Sequence, residues 1–558
     1  MKNQAAAHLR LILGIGLVAV TIAVTPWFSV DPINPIKMMF ASGVAFASLG
    51  IVIANRKSLI TKQHRTIMIL TGAFAAWMWV VLVFSIGEFH QQLFGMYGRN
   101  TGFVTYLSFV ILLFVATLVS NRENNSKLYP FFLIAGSASL VYGVMQSLGA
   151  EPIKWVNGYS PVIGFLGNPN FQSSFLGVIG SLVFAMALSS KTSIKVRAIY
   201  GVYLLVTLYT IGESNSQQGF LVLISGMAVA FAIYLNSKSK NLTIGYLALS
   251  LIGFIALILG TQAKGPFSFL YKTSVSLRGD YWRAGWNMTL DNPILGVGMD
   301  SYGDWYRRGR DLETVSGGDY DRTANAAHNV LLDISAGGGF PLALIYLAIA
   351  VLVVIAALRV IRREKEFNPL FAGFVGAWVA YQAQSIISIN QIGLAIWGWC
   401  LSGLIIGYEI NTRVVPTVIE EKGPKIKAGA VAQSSALTGL ALFVGLAVGL
   451  TAGGPSYVAS VKYKTALETR NLSEITKGAY LWPLEQLRMV EVAGAFNDQK
   501  FEKEALAITL DAIDRFPNSY YVWRALYYMK AATPEQKQEA LEQMKRLDPL
   551  NPTIKQLG

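Results

Sequence analysis

The sequence predicts an all-α, polytopic membrane protein of about 12–13 crossing helices, closed by a soluble helical domain. Three observations predict it. Hydrophobic residues make up 53% of the 558 and charged residues only 14%, with a mean hydropathy of +0.44. A water-soluble globule carries about 25% charged residues, so this chain cannot clothe a water-facing surface throughout. Apolar stretches of roughly 20 residues, the length that crosses hydrocarbon as a helix, recur along the chain. Past Gly453 the composition turns charged, glycine-poor and helical in period. Aromatic residues are 12%, and low charge with many aromatics excludes a disordered chain.

The expected spans lie near 9–29, 36–54, 66–87, 102–119, 129–148, 171–189, 198–212, 218–235, 242–261, 337–357, 370–388, 392–409 and 434–452. The first has the look of a signal h-region, but no A-x-A site closes it and twelve spans follow, so it reads as an uncleaved helix. Basic residues gather in alternate turns: Arg56, Lys57, Lys62 and Arg65; Arg122 and Lys127; Lys191, Lys195 and Arg197; Lys238 and Lys240; Arg359, Arg362, Arg363 and Lys365; Arg413, Lys422, Lys425 and Lys427. Cytoplasmic turns are the ones enriched in Lys and Arg. The N-terminus is therefore expected in the cytoplasm and the C-terminal domain outside it, in the cytoplasmic (inner) membrane. The expected domains are 1–455, with a large extracytoplasmic loop at 262–336, and 456–558.

The net charge of +14 is what such turns produce, so no nucleic-acid partner is inferred; membrane lipids are the surroundings. The lone Cys400 cannot form an internal disulfide, and His8, His64, His90 and His328 show no HxxH or HExxH spacing. No metal and no cofactor is expected.

The 262–336 loop breaks the charge rule with Lys264, Lys272, Arg278, Arg283, Arg307, Arg308, Arg310 and Arg322. Long loops can cross despite positive charge. Eight of its acids (Asp280, Asp291, Asp300, Asp304, Asp311, Glu313, Asp319, Asp321) match these cations in number, so self-pairing and an anionic ligand are both open. Four polar clusters mark the same face. Phe94–Gly102 holds three glycines and Arg99, either a ligand contact or an interfacial arginine. Asn168-Pro169-Asn170 is either a helix cap or a set of amides aimed at an anion. Arg278, Trp282 and Trp286 fall on one helical face, with Arg283 beside them, followed by Pro293, Gly296 and Gly298. A guanidinium forks around phosphate, and indoles sit at headgroup depth; a Trp-anchored helix without ligand is the plainer alternative. Asn325-Ala326-Ala327-His328-Asn329 offers an imidazole for proton transfer, flanked by amides that could orient it or contact sugar hydroxyls.

In the tail, Glu504-Ala505-Leu506 precedes Pro517 as Glu539-Ala540-Leu541 precedes Pro552. The copies are 35 residues apart, and Pro483 lies 34 before Pro517. This period, with a small Ala inside a helix and Pro after it, resembles tetratricopeptide units. Tyr520, Tyr521, Trp523, Tyr527 and Tyr528 read mainly as inter-helix core. The alternative is a docking surface for an acceptor or protein partner.

Taken in order, the four clusters resemble the O-antigen ligase superfamily of ligases, O-antigen polymerases and related oligosaccharyltransferases. Phe94–Gly102 is similar to the family's glycine-arginine loop, Asn168-Pro169-Asn170 to its NPN motif, Arg278–Gly298 to its R…W…P..G.G signature and Ala327-His328-Asn329 to its HN motif. The resemblance covers about 90–410. It implies a GT-C type membrane glycosyltransferase acting on an undecaprenyl-diphosphate-linked glycan, with a lipid, glycan or protein acceptor. By the same resemblance Arg278 contacts the diphosphate and His328 the acceptor hydroxyl or leaving group. Supporting contacts fall to Arg99, Asn168, Asn170, Gln218, Trp282, Arg283, Asn325 and Asn329. Two departures stand out. Relatives carry Ser-Arg after span seven, where this chain has Ser216-Gln217-Gln218-Gly219, so Arg283 or Arg99 substitutes or the donor grip is weaker. Relatives also carry an acid before the glycines after HN; here Ser335–Gly339 has none and Asp333 is the nearest.

A diphosphate is already a good leaving group, so the enzyme's task is to stabilise growing negative charge and to deprotonate the acceptor. The expected reaction is inverting, metal-independent transfer on the outer face. Ligase and polymerase remain alternatives. A transporter or flippase of lipid-linked sugars would place charged or broken helices at the midplane, and the polar residues instead cluster at one face. A membrane-anchored scaffold would leave the Arg, Trp and His motifs without a task.

Overall fold

The computed structural model describes residues 2–155, 162–268, 277–316, 318, 320–413 and 428–557. The expected loop residues Lys272, Ser276 and Asp319, and the basic residues Lys422, Lys425 and Lys427, lie outside the described residues. All regular structure among the described residues is helical. Among the described residues, twelve helices are long and apolar enough to cross a membrane. A thirteenth apolar helix, Phe103–Val119, has 17 residues and sits inside the bundle with nearly all its side chains buried. The chain is a multi-pass membrane protein.

The layering follows from which faces are apolar and which are small. Ile392–Asn411 is the axis, buried along its whole candidate span. It packs on Phe103–Val119, Val330–Arg363 and Pro369–Ile387. Helices farther out expose apolar side chains, as lipid-facing helices do. Lys240–Thr261 is exposed nearly throughout, and Ala428–Gly453 touches the bundle along one stripe. That stripe is Gly445, Gly449 and Gly453, where a Cβ would collide with Phe46, Ser42 or Met38 of Asn34–Ala54. In lipid, helices gain little from burying apolar surface. Close backbone approach through small residues at every fourth position supplies the packing instead.

One expected boundary needs correction. The span expected at 337–357 belongs to a longer helix, Val330–Arg363, that begins just after His328. Its first two turns are separated from the rest by a break at Gly339 (φ 70°, ψ −179°). The Ala-Gly-Gly-Gly run is flat and polar on average, so hydropathy alone starts the helix too late.

At one end of the bundle the basic turns are tied to acids. Arg122 pairs with Glu364 at 3.1 Å, Arg413 pairs with Glu409 at 2.6 Å, and Arg363 donates to Thr412 at 2.6 Å. At the other end the tail packs on the first cluster and the loop: Trp482 meets Phe94 edge-on, Gln486 donates to Gln91 and Asp304, and Tyr521 donates to Thr323. In this tail Ala505 and Ala540 are both fully buried, at the helix contacts where a small residue is needed. Tyr520 and Trp523 belong to the tail's core, whereas Tyr528 is exposed.

Candidate functional site

The third cluster meets the helix that follows the fourth through glycines on both sides. Val297 N–H donates to Ala336 O at 2.7 Å, and Phe340 N–H donates to Pro293 O at 2.8 Å. A Cβ at Gly339 would run into the Ile294 carbonyl, and one at Gly296 into Ala336 O. The break in Val330–Arg363 therefore lets the Pro293–Gly298 loop enter its backbone. Residues 335–339, set aside in the sequence as lacking an acid, are the seat of that loop.

This seat fixes Arg278–Asp291 against the start of Val330–Arg363 and brings Arg278 and His328 together. Arg278 opens its helix and is half-buried, and burial lowers its pKa. Among the described residues its guanidinium makes no ion pair. The Tyr281 ring centroid lies 5.5 Å from that of His328. Burial pushes the His328 pKa down to about 4, helped by the charges of Arg278 and then Arg99. The imidazole is therefore neutral at neutral pH, with a ring nitrogen whose lone pair is a weak base. His328 has φ 52°, a left-handed conformation uncommon for a side chain of this size. Asn329 caps the following helix through Leu332 N–H at 3.1 Å and donates to Ile386 O, while the Asn325 side chain is exposed.

Five other arginines of the loop are occupied. Arg283 sits 2.7 Å from Asp280, 2.8 Å from Asp311 and 3.7 Å from Glu313. Arg322 reaches Asp280 at 3.4 Å, and Arg308 lies over the Trp305 ring at 3.4 Å. Arg307 and Arg310 both bind Asp548 of the tail, at 2.7 and 2.5 Å. Self-pairing thus accounts for much of the loop's charge, with an acid from the tail that the loop's own sequence could not reveal.

Arg99 is buried between Asp300 (3.5 Å) and Asp333 (4.0 Å) and donates to the Asn325 carbonyl. Asn168 caps Pro169–Ala187 by accepting from Asn170 N–H at 2.9 Å, as the plainer sequence alternative has it. Asn170 Oδ1 accepts from Ser216 at 2.7 Å, so the NPN turn does touch the Ser-Gln-Gln segment. Gln218 turns inward onto Ser174 at 2.9 Å. Trp282 keeps its indole N–H buried and without a hydrogen-bond partner among the described residues, while Trp286 is exposed and meets Phe340 edge-on. Arg99, Tyr106, Asp300, Tyr302, Asp333 and Gly337 line one small cleft, whose other walls include Phe74 and Leu342.

Residues 202–347 match the family model described as O-antigen ligase. Over this stretch the chain is similar to the O-antigen ligase superfamily, as the order of the four clusters suggests. No curated protein matches the chain. The ligase match spans Gln218, Arg278, Trp282, Arg283, Asn325, His328 and Asn329, and it stops short of Arg99, Asn168, Asn170 and the tail. It supports a ligase- or polymerase-type function and a glycosyltransferase-like enzyme.

Proposed function

We propose that the protein transfers a glycan from undecaprenyl diphosphate to an acceptor hydroxyl at the outer face of the cytoplasmic membrane. The observation that carries this reading is the pairing of a half-buried guanidinium, Arg278, which makes no ion pair among the described residues, with a neutral imidazole, His328, inside the ligase domain. A cation with no carboxylate of its own keeps its full attraction for a diphosphate, and partial burial strengthens it. His328 takes the proton of the acceptor hydroxyl as its oxygen attacks the anomeric carbon. The bond from that carbon to the phosphate oxygen breaks, and the diphosphate leaves as an anion held by Arg278.

A single displacement of this kind inverts the anomeric centre, and a guanidinium performs the charge stabilisation without a metal ion. Arg283 and Arg99 are held by carboxylates, so neither supplies the second cation that relatives carry. The donor grip then rests on Arg278, with the exposed Trp286 at headgroup depth and Trp282 beside it. Residues 1–455 form the catalytic membrane domain, and 456–558 a tetratricopeptide-like extracytoplasmic domain that faces the acceptor. The basic turns gathered at the far end of the bundle support a cytoplasmic N-terminus.

The test is transfer by the purified protein in liposomes containing undecaprenyl-diphosphate-linked glycan, with a chelator present. Glycan should move to acceptor with release of undecaprenyl diphosphate, and NMR should show the inverted linkage. Chelator-sensitive transfer or retained configuration would remove the mechanism, and transbilayer movement of intact donor without transfer would favour a flippase.

A further inference from the structure

The surroundings of Arg99 give it a task other than donor binding. Two aspartates from separate segments face it, so the group as a whole has no positive charge to offer a diphosphate. Each partner also holds something else. Asp300 Oδ2 accepts from Met96 N–H at 2.8 Å and from Thr101 N–H at 3.2 Å, which fixes the glycine-arginine loop. Asp333 Oδ1 accepts from Ala327 N–H at 2.7 Å. Arg99 itself donates to the carbonyl of Asn325.

The turn before His328 is thus gripped at two backbone points, Asn325 and Ala327, from the two ends of one ionic group. That turn carries a non-glycine φ of 52° at His328. A sparsely populated conformation persists where its surroundings over-determine it, and these two grips do so. Asp333 reaches back to them from the first turn of Val330–Arg363, so the same helix start places the imidazole and its brace.

We propose that Arg99, Asp300 and Asp333 form a positioning unit that fixes the His328 turn, and that Arg99 makes no contact with the donor phosphates. The proposal rests on His328 being the base. It converts an expected substrate contact into a strut and gives Asp333 a role that the sequence left open.

The experiment measures kcat and the donor KM of the full-length protein in nanodiscs for Arg99→Ala, Asp333→Ala and the double variant. A displaced base lowers kcat, and each single substitution should do so by about 10–100-fold while donor KM stays within about twofold. Residues acting as one unit are non-additive, so the double variant should be no slower than the worse single one. Asp333→Asn, whose amide oxygen can still accept from Ala327, should recover part of the loss. If the alanine variants fail to insert, Arg99→Lys and Asp333→Asn should show the same split in milder form. A rise of about tenfold in donor KM at preserved kcat, multiplicative losses in the double variant, or an unchanged kcat would overturn the proposal. His328→Ala is run alongside. Retained transfer there removes the base assignment itself, whereas loss there with unaffected Arg99 and Asp333 variants removes only the positioning unit.

Discussion

His328→Ala should lower glycan transfer by about 10²–10⁴-fold, the range that a positioned acid or base contributes. The protein should still insert and still bind its lipid donor. The size of the effect follows from the state of the ring. Burial and the charges of Arg278 and Arg99 hold its pKa at about 4, so nearly every molecule carries a neutral imidazole at neutral pH. In the empty site it is a weak base. A diphosphate bound at Arg278 brings negative charge that opposes those cations, and an added anion raises the proton affinity of a neighbouring imidazole. On the proposed mechanism the base is then strongest when the donor is in place, which discourages water from being activated in its absence. His328→Asn, which keeps a polar side chain and loses the basic nitrogen, should not rescue. Initial rates in liposomes check this, and near-wild-type rates in both variants would reduce His328 to a structural residue.

Asp548→Ala should destabilise the protein by roughly 3–5 kcal/mol, the cost of stripping one partner from a buried ionic group. Asp548 is fully buried in the tail and accepts from Arg307 at 2.7 Å and Arg310 at 2.5 Å. Arg307 also lies 4.2 Å over the Tyr520 ring. Burial works against the Arg307 charge, and Asp548 more than compensates, so its pKa stands above the ordinary value. Without the carboxylate, two guanidiniums face each other in a dry interface. The measurement is thermal unfolding together with protease release of the tail. Replacing the group by apolar side chains, as in Arg307→Met with Arg310→Leu and Asp548→Leu, should restore most of the stability, since well-packed apolar substitutes often match a buried ion pair. An unchanged melting temperature for Asp548→Ala would contradict the account. The same contact explains why deleting 456–558 is a poor way to separate enzyme from scaffold. The deletion uncovers Arg307 and Arg310 in the loop that follows Arg278–Asp291, and activity would fall for a reason unrelated to partner recruitment.

Much of the fold was legible because membrane spans obey a local rule. A run of apolar residues of the right length is sufficient, and Ile194–Glu213, a stretch of modest hydropathy, still emerged as a helix. The start of Val330–Arg363 was misplaced because Ser335–Gly339 answers to a contact with Pro293–Gly298 and not to hydropathy. The polar clusters were legible as residues that lipid would forbid. Their internal wiring was not. Nothing in the local sequence says that Arg99 faces Asp300 and Asp333, or that Arg283 is held by Asp280, Asp311 and Glu313. Those pairings join segments far apart in the chain and turn cations of identical type into struts or candidate ligands. Asp548 lies in a charged tail where one more aspartate carries no signal. Its importance comes only from burial against Arg307 and Arg310. The Asn of an Asn-Pro-Asn run could be read either way, and Asn168 does what an N-cap does.

The most direct test of the central claim is the affinity of undecaprenyl diphosphate for the protein in nanodiscs, compared between the wild type, Arg278→Ala and Arg283→Ala. Arg278 offers a guanidinium with no ion pair among the described residues and Arg283 one already held by three acids, so the two loop arginines should behave oppositely. Loss of a charge-assisted phosphate contact of about 1.5–3 kcal/mol corresponds to a Kd weakened by about 10–150-fold in Arg278→Ala. Arg283→Ala should stay within about threefold of the wild type, as expected of a partly exposed ion pair. An unchanged Kd in Arg278→Ala, or an equal loss in both variants, would contradict the assignment of Arg278 as the diphosphate-binding cation.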